Sequence, residues 1–164
     1  MTPKEFTLKY YPFAKQTEAK TGVPALVIMA QAALESGWGS AAPGNMFFGV
    51  KDSDGLNGNE QLLLTTEYLD NPNKKFPVVV SVIQVGKKLW KYRVKDWFRK
   101  YSTPEESFTD HANLFLTRVR YANAMRVRQD PYKFASEIHR AGYATDPEYT
   151  TKLHKLITMI KSFL

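Results

Sequence analysis

The spacing of apolar residues predicts helices at both ends of the chain and strands in its middle. Near the amino terminus, side chains suited to a protein interior recur at intervals of three and four residues, at Phe6, Tyr10, Phe13 and Thr17. Because this is the spacing of one face of an α-helix, we predict a first helix from about Pro3 to Lys20. We expect a kink at Pro12, since proline has no backbone N–H to donate inside a helix.

Further helices are predicted with different degrees of burial. The segment from Pro24 to about Ser36 is apolar almost all round, which is typical of a central buried helix. The final helix has one apolar face, made by Tyr149, Leu153, Leu156, Ile157, Ile160 and Leu164. Helix starts are marked by a capping residue followed by proline, at Thr2-Pro3, Thr103-Pro104, Asp130-Pro131 and Asp146-Pro147. Gly22 and Gly142 are placed to end helices.

Between Trp38 and Tyr101, helical spacing gives way to alternating β-branched runs separated by turn residues. These runs predict strands and a hairpin turn, with the strands at Gln61–Tyr68, Phe76–Val85 and Lys88–Phe98 and the turn at Gly86-Lys87. Residues 52–59 are predicted to form a loop. The order of helices, strands and helices predicts an α+β fold in a single domain. We expect a mainly helical body of residues 1–45 and 99–164, with a small antiparallel β-lobe inserted at about 46–98.

Composition excludes several kinds of site. Of the 164 residues, 43% are hydrophobic and 24% are charged, which is the balance of a globular protein rather than of a disordered chain. No cysteine is present, so disulfides, thiolate metal sites and cysteine nucleophiles are excluded. The three histidines have no metal-ligand spacing. We therefore expect neither a metal site nor a cofactor.

The net charge of +7 favours an anionic partner, either nucleic acid, a membrane surface or an acidic cell wall, without choosing among them. Residues 1–22 lack the apolar core of a secretion signal. Val23–Leu34 is too short to span a bilayer. We therefore expect no membrane insertion, and a chain that is either a mature or excised domain or is released by a phage-type route.

The candidate chemistry begins at Glu35, which ends the apolar second helix and is followed by Ser36-Gly37-Trp38. Apolar surroundings and the negative end of the helix dipole both disfavour an ionised carboxylate. We therefore expect Glu35 to remain protonated closer to neutral pH, as a general acid for glycosidic cleavage requires. The local pattern alone fits a solvated glutamate at a helix end slightly better.

Glycosidic cleavage usually needs a second carboxylate. The predicted β-lobe offers several acidic residues: Asp52, Asp54, Glu60, Glu67 and Asp70. Glu67 stands late in a predicted strand, between Thr66 and Tyr68, which suits the rim of a site. Composition alone does not separate it from ordinary surface residues.

The longest motif, AQAALESGWG, spans Ala30–Gly39 and follows Gly22-Val23-Pro24. Shorter motifs come after it in the chain, at Asn45 with Phe48–Lys51, Thr66–Tyr68, Phe98–Tyr101, Glu106–His111, Arg120-Tyr121 and Ala141–Tyr149. In this order the motifs resemble the peptidoglycan-hydrolysing β-N-acetylglucosaminidases of glycoside hydrolase family 73. That family contains the muramidase-like domain of flagellar rod-assembly proteins and many bacterial and phage autolysins. The resemblance covers nearly the whole chain, but Leu69–Trp97 is longer than in the flagellar members by an apparent extra hairpin.

The resemblance implies a lysozyme-like fold in which the β-lobe flanks a substrate cleft. It implies that Glu35 is the general acid, that Glu67 is the second carboxylate and that Tyr143 lies beside the cleavage site. Without the resemblance, Tyr143 fits better as a buried aromatic residue before a helix cap. Sugar contacts are implied for Trp38, Asn45, Phe48 and Tyr121. The three aromatic residues among these fit a protein core about equally well, and His111, with Asp110, is expected to be structural.

The function implied by the resemblance is cleavage of the β-1,4 glycan of peptidoglycan between N-acetylglucosamine and N-acetylmuramic acid. We expect a monomer that acts on the bacterial cell wall and has no nucleic-acid partner. Muramidase specificity stays open, because both sugars share the ring and the N-acetyl group. Of the non-enzymatic alternatives, the basic and aromatic run Lys87–Arg93 suits single-stranded nucleic acid but leaves Glu35 unexplained. An inactive wall-binding domain would have no need of both Glu35 and Glu67.

Overall fold

The computed structural model describes every residue from Met1 to Leu164 and contains both helices and strands. Its α-helices are α1 (Pro3–Thr21), α2 (Ala25–Ser36), α3 (Pro104–Thr117), α4 (Ala122–Arg126), α5 (Pro131–Arg140) and α6 (Tyr149–Lys161). Its strands are β1 (Glu60–Leu69), β2 (Val78–Gly86) and β3 (Leu89–Arg99). Short 3₁₀ helices span Pro43–Asn45 and Val119–Tyr121. The α+β class is therefore confirmed.

The chain forms two compact units, each described here by itself. The helical unit comprises Met1–Phe48 and Tyr101–Leu164, and the sheet unit comprises Gly49–Lys100. None of the helices combines the length with the apolar character that crossing a membrane requires.

Helix α1 begins and ends as its sequence predicts. Thr2 and Glu5 form a reciprocal capping box at its start, and Gly22 ends it in the left-handed conformation, with φ 79°. The helix is continuous through Pro12. Its buried face was predicted with one error, because Ala14 is buried whereas Phe13 is only half-buried. Phe13 therefore lies beside the buried face of the helix rather than on it.

Helix α2 is the central helix of this unit, as predicted. It packs against α1, α5 and α6, and all its residues are buried except Leu26, Leu34 and Glu35. The predicted caps of α3 and α5 are also confirmed, because Thr103 accepts a hydrogen bond from the Glu106 N–H and Asp130 accepts from the Tyr132 N–H.

The predicted start of α6 was wrong. Asp146 caps a turn instead, in which its carboxylate accepts a hydrogen bond from the Glu148 N–H at 2.9 Å. The helix begins at Tyr149. At its other end, Leu164 follows the last helical residue and is exposed rather than part of the apolar face, and Leu156 is half-buried. Gly142 follows the end of α5 with φ 91°, as expected of a residue that stops a helix.

The sheet unit is built on one antiparallel sheet with strand order β1-β3-β2. Strands β1 and β3 pair without interruption from Glu60 opposite Arg99 to Leu69 opposite Trp90. The hairpin turn is Lys87-Lys88 rather than the predicted Gly86-Lys87, because Gly86 still pairs with Leu89. Strand β2 begins at Val78 rather than at Phe76, whose ring packs instead against Tyr92. Residues 52–59 lie outside the strands, as predicted.

Candidate active site

Glu35 is held at a sharp reversal of the chain. The backbone N–H groups of Gly37 and Trp38 both donate to the Ala33 carbonyl, which closes the end of α2. Gly37, Trp38 and Gly39 all have positive φ, at 57°, 57° and 80°. A Cβ on Gly39 would lie 3.2 Å from the Phe6 ring, so the reversal also packs closely on α1. Glu35 is therefore fixed at the surface end of a buried helix.

The environment of Glu35 differs from the one expected. Its side chain is exposed to solvent, as is that of Leu34. The expected apolar enclosure was therefore wrong, and the solvated helix end that the local pattern slightly favoured is what the structure has. The reason is geometric, because Leu34 and Glu35 lie on the side of the last turn of α2 that faces away from the core, whereas Ala33 and Ser36 on that turn remain buried. The carboxylate accordingly faces solvent.

Two tyrosine hydroxyls lie within electrostatic reach of Glu35. Burial raises the pKa of Tyr143, and the neighbouring Tyr149 hydroxyl and the negative charge of Glu35 add to the effect. Burial and the Glu35 charge likewise raise the pKa of Tyr149, although a hydrogen bond from Gln31 opposes them. The Tyr143 and Tyr149 rings are 5.5 Å apart. Both hydroxyls therefore carry their protons at neutral pH.

A buried network holds these hydroxyls in place. Gln31, four residues before Glu35 on α2, donates from Nε2 to the Tyr149 hydroxyl at 2.9 Å. Its Oε1 lies 2.9 Å from Nε2 of His111, and since this oxygen only accepts, His111 carries its proton on Nε2. Burial lowers the pKa of His111 to about 3, so the imidazole is neutral.

Tyr143 is connected to the same network. Its hydroxyl oxygen is 3.4 Å from the protonated Nε2 of His111 and can only accept from it, although the contact is long. The Tyr143 proton thus remains available to the Tyr149 hydroxyl or to a bound molecule. The family resemblance implied that Tyr143 lies near Glu35, and the Glu35 charge is one of the effects that raise the pKa of the Tyr143 hydroxyl.

Two of the residues implied as sugar contacts are buried in the helical unit. Phe48 stacks on His111, with ring centroids 3.7 Å apart and planes 11° apart. Tyr121 is fully buried against Phe115 at 5.1 Å, and its hydroxyl has no hydrogen-bond partner. Neither side chain presents a surface to a sugar, so the core alternative fits Phe48 and Tyr121 better.

The other two implied sugar contacts are partly exposed. Trp38 has its ring edge-on to Phe6 at 5.6 Å and keeps part of its surface open to solvent. Asn45 adopts a left-handed backbone conformation, with φ 57°, and its amide donates to the Tyr101 carbonyl at 3.1 Å. Asn45 therefore forms a contact within the helical unit, whereas the Trp38 ring remains partly exposed.

Glu67 lies in the sheet unit and forms an ion pair. Lys51 Nζ is 2.8 Å from the Glu67 carboxylate and 3.1 Å from that of Asp96. Burial lowers the pKa of Lys51, but hydrogen bonds from its ammonium group to both carboxylates outweigh this effect and raise it. Lys51 therefore remains charged and bridges the two acids.

The remaining acidic candidates have other surroundings. Asp52 accepts from the Gly55 N–H, Asp54 from the Asn59 side chain and Glu60 from the Asn57 and Gly58 N–H groups, so these three organise the 52–60 loop. Asp70 is exposed at the end of β1. Among the acids considered, Glu67 alone contacts Lys51.

Sequence reasoning gave no role to Gln31, Lys51, Asp96 or Tyr149, and it assigned His111 only to the structure. Gln31 and Tyr149 carried a signal, namely a polar side chain inside an apolar helix and an aromatic residue in the last motif. Asp96 carried none, because its approach to Lys51 depends on the pairing of Lys51 with Phe98 at the edge of the sheet.

Comparison with known proteins places these motifs in a family. The model of the Glucosaminidase family, described as mannosyl-glycoprotein endo-beta-N-acetylglucosaminidase, matches residues 11–162. Peptidoglycan hydrolase FlgJ of Pseudomonas aeruginosa is 31% identical over 97% of this chain and 37% of its own length. Exo-glucosaminidase LytG of Bacillus subtilis is 33% identical over 80% of this chain and 42% of its own.

A solved structure agrees with these matches. The C-terminally truncated glycoside hydrolase domain of FlgJ from Salmonella typhimurium superimposes with a TM-score of 0.73 at 31% identity, covering 98% of this chain and 99% of that one. The chain nevertheless spans less than half the length of FlgJ from Pseudomonas aeruginosa. The motifs, the lysozyme-like α+β fold and the family match agree, and the chain belongs to the Glucosaminidase family, glycoside hydrolase family 73.

Proposed function

We propose that this chain hydrolyses the β-1,4 glycan of peptidoglycan between N-acetylglucosamine and N-acetylmuramic acid, as an endo-β-N-acetylglucosaminidase. The observation that carries the proposal is the position of Glu35, a solvent-facing carboxylate at the end of a rigid helix and within reach of two neutral tyrosine hydroxyls. Family membership and the printed names of the relatives, peptidoglycan hydrolase and exo-glucosaminidase, support the choice of substrate.

Glu35 is the proposed general acid. It forms no ion pair in the protein. When a glycan chain covers it, water is excluded and the protonated form is favoured, because burial disfavours a charged carboxylate. The acid then gives its proton to the glycosidic oxygen as the bond to the anomeric carbon breaks.

Tyr143 is proposed to lie beside the cleavage site, near Glu35. Gln31 and His111 are positioning residues that act through Tyr143. A neutral His111 with its proton on Nε2 orients the Tyr143 oxygen, and Gln31 fixes His111 by accepting that proton in a hydrogen bond. A neutral network adds no competing charge beside the developing positive charge on the sugar. Trp38 is the proposed stacking surface for a sugar ring.

Glu67 is the proposed second carboxylate. Lys51 restrains it through the ion pair and shares its charge with Asp96. Two mechanisms are compatible with this role. Glu67 can activate a water molecule directly, or the 2-acetamido group of the substrate can attack the anomeric carbon while Glu67 assists through its charge.

The experiment is a digestion of purified peptidoglycan followed by borohydride reduction and mass spectrometry. We expect new reducing ends of N-acetylglucosamine, which give glucosaminitol. Products with only muramitol would make the enzyme a muramidase. Glu35→Gln serves as the inactive control, and absence of glycan cleavage by the folded wild-type protein would refute the proposal. The proposed place of action is the bacterial cell wall. Sedimentation analysis of the purified protein tests whether it is a monomer, as proposed.

A further inference from the structure

One face of the sheet unit is both cationic and apolar, and the proposed hydrolysis makes no use of it. Residues 71–95 contain seven basic residues and no acidic one: Lys74, Lys75, Lys87, Lys88, Lys91, Arg93 and Lys95. All seven are exposed, and none takes part in a salt bridge. Such a concentration of unpaired cations attracts an anionic partner.

The sheet register places three of these seven cations in a row. Lys91, Arg93 and Lys95 alternate along β3 with Tyr92 and Val94, which are fully buried, so the three cations share the opposite face. On one side they are paired with Tyr68, Thr66 and Leu64 of β1, and on the other with Ile83, Ser81 and Val78 of β2. We call this surface the cationic face: Lys91, Arg93 and Lys95 with Leu64, Tyr68, Val78 and Ile83.

The residues beside the cations are exposed apolar side chains. Leu64 is 48% exposed, Tyr68 57%, Val78 40% and Ile83 57%. Strand β2 is at an edge of the sheet, and Val80 and Val85, at its two register shifts, are also exposed. Val79 and Val82 pair with the buried Val94 and Tyr92, so they belong to the opposite face of the sheet. Contiguous exposed aliphatic groups of this kind are uncommon unless a partner covers them.

Charge and apolar surface together select the partner. A second copy would bring the same row of cations and be repelled. A soluble polyanion would meet the cations but leave the aliphatic side chains in water. Single-stranded nucleic acid needs aromatic platforms for its bases, and Tyr68 is the only aromatic residue among the seven. An anionic lipid surface offers phosphates to the cations and an apolar boundary to the aliphatic groups.

We propose that the cationic face binds peripherally to the surface of a bilayer that contains anionic phospholipid. The phosphates lie against the central row of Lys91, Arg93 and Lys95. The aliphatic side chains on either side, Leu64, Val78 and Ile83, rest at the level of the headgroups. The contact is one of adsorption, independent of the chemistry proposed for Glu35.

The test is co-sedimentation of the full chain with vesicles of phosphatidylglycerol and phosphatidylcholine, and with vesicles of phosphatidylcholine alone. We expect wild-type protein to pellet with the anionic vesicles only. The variant K91Q/R93Q/K95Q should bind them roughly a hundredfold more weakly, since each surface cation contributes about fivefold. The matched control K4Q/K155Q/K161Q removes the same charge from exposed residues of the helical unit and should bind within about twofold of wild type.

A second variant separates lipid from other anions. V78S/I83S keeps every charge, and its vesicle binding should fall and become more sensitive to salt. Several outcomes would overturn the proposal: equal losses in the control and the K91Q/R93Q/K95Q variant, wild-type binding by V78S/I83S, pelleting without vesicles, or binding of single-stranded DNA in place of anionic vesicles. Thermal melting checks that each variant is folded, and turnover of soluble glycan fragments should be unchanged in all of them.

Discussion

The two acidic residues proposed for the chemistry have opposite surroundings. Glu35, in the helical unit, has no cationic partner and lies above a neutral network of tyrosine, glutamine and histidine side chains. Glu67, in the sheet unit, is 2.8 Å from Lys51, which also binds Asp96. The two carboxylates therefore differ in their counter-ions, because Glu35 has none and Glu67 shares Lys51 with Asp96. The contrast suits Glu35 as the general acid and Glu67 as a second carboxylate that acts through its charge.

The largest expected effect is that of removing the acid. Glu35→Gln keeps the shape of the side chain but cannot transfer a proton, and we expect a loss of roughly 10²–10⁴-fold in turnover of peptidoglycan. New reducing ends measure the rate, and thermal melting measures the fold. Glu148→Gln, an exposed residue of the same unit, is the matched control and should retain wild-type activity. Near-normal turnover by folded Glu35→Gln protein would remove Glu35 from the mechanism.

A smaller loss of turnover is expected when Glu67, the second carboxylate, is changed. Glu67→Gln should lower turnover by about tenfold to a hundredfold if the acetamido group of the substrate is the nucleophile, and by as much as Glu35→Gln if Glu67 activates water. The anomeric form of the first product separates the two cases, because the acetamido route retains configuration. Full activity in Glu67→Gln would contradict both.

Lys51→Met sharpens the comparison by leaving Glu67 and Asp96 close together without their shared cation. Two neighbouring carboxylates resist simultaneous ionisation. We therefore expect the acidic limb of the pH–rate profile to move to higher pH, with a loss of turnover smaller than that of Glu67→Gln. An unchanged profile would mean that the ion pair serves only the stability of the sheet unit.

The last expected effect is on stability rather than turnover and concerns His111. Its pKa is lowered to about 3 by burial, so between an unfolded value of about 6.5 and pH 3 the unfolded chain binds the extra proton. Folded stability contributed by the neutral imidazole is therefore present above pH 6.5 and lost as the pH falls, by at most about 1.4 kcal/mol per pH unit. His111→Gln, which has an uncharged donor amide, should lose less stability on acidification. Parallel denaturation curves at pH 7 and pH 4 measure this, and equal acid sensitivity would contradict the neutral buried assignment.

Local signals in the sequence were sufficient for most of the secondary structure. Capping at Thr2, Thr103 and Asp130 and the stop at Gly22 depend on neighbouring residues only, and each was predicted. The same holds for the three strands, apart from shifts at their ends.

Exposure was harder to predict because it depends on contacts between distant segments. The local pattern at Glu35 favoured a solvated helix end only slightly over an apolar enclosure, and the structure was needed to decide between them. Nothing near Tyr121 decides between core and surface, and it is fully buried. The bond between Gln31 and His111 joins residues 80 positions apart. Site residues supported by tertiary contacts therefore required the structure.

The most direct test of the general-acid role varies the leaving group. The substrate is an activated aryl glycoside of N-acetylglucosamine oligomers. Its aryloxide leaving group departs without protonation, so its cleavage needs no general acid. Glu35→Gln should cleave peptidoglycan roughly 10²–10⁴-fold more slowly than wild type. On the aryl glycoside, its rate should be close to that of wild type. Glu67→Gln should be impaired on both substrates. Equal impairment of Glu35→Gln on both substrates would contradict the assignment of Glu35 as the general acid.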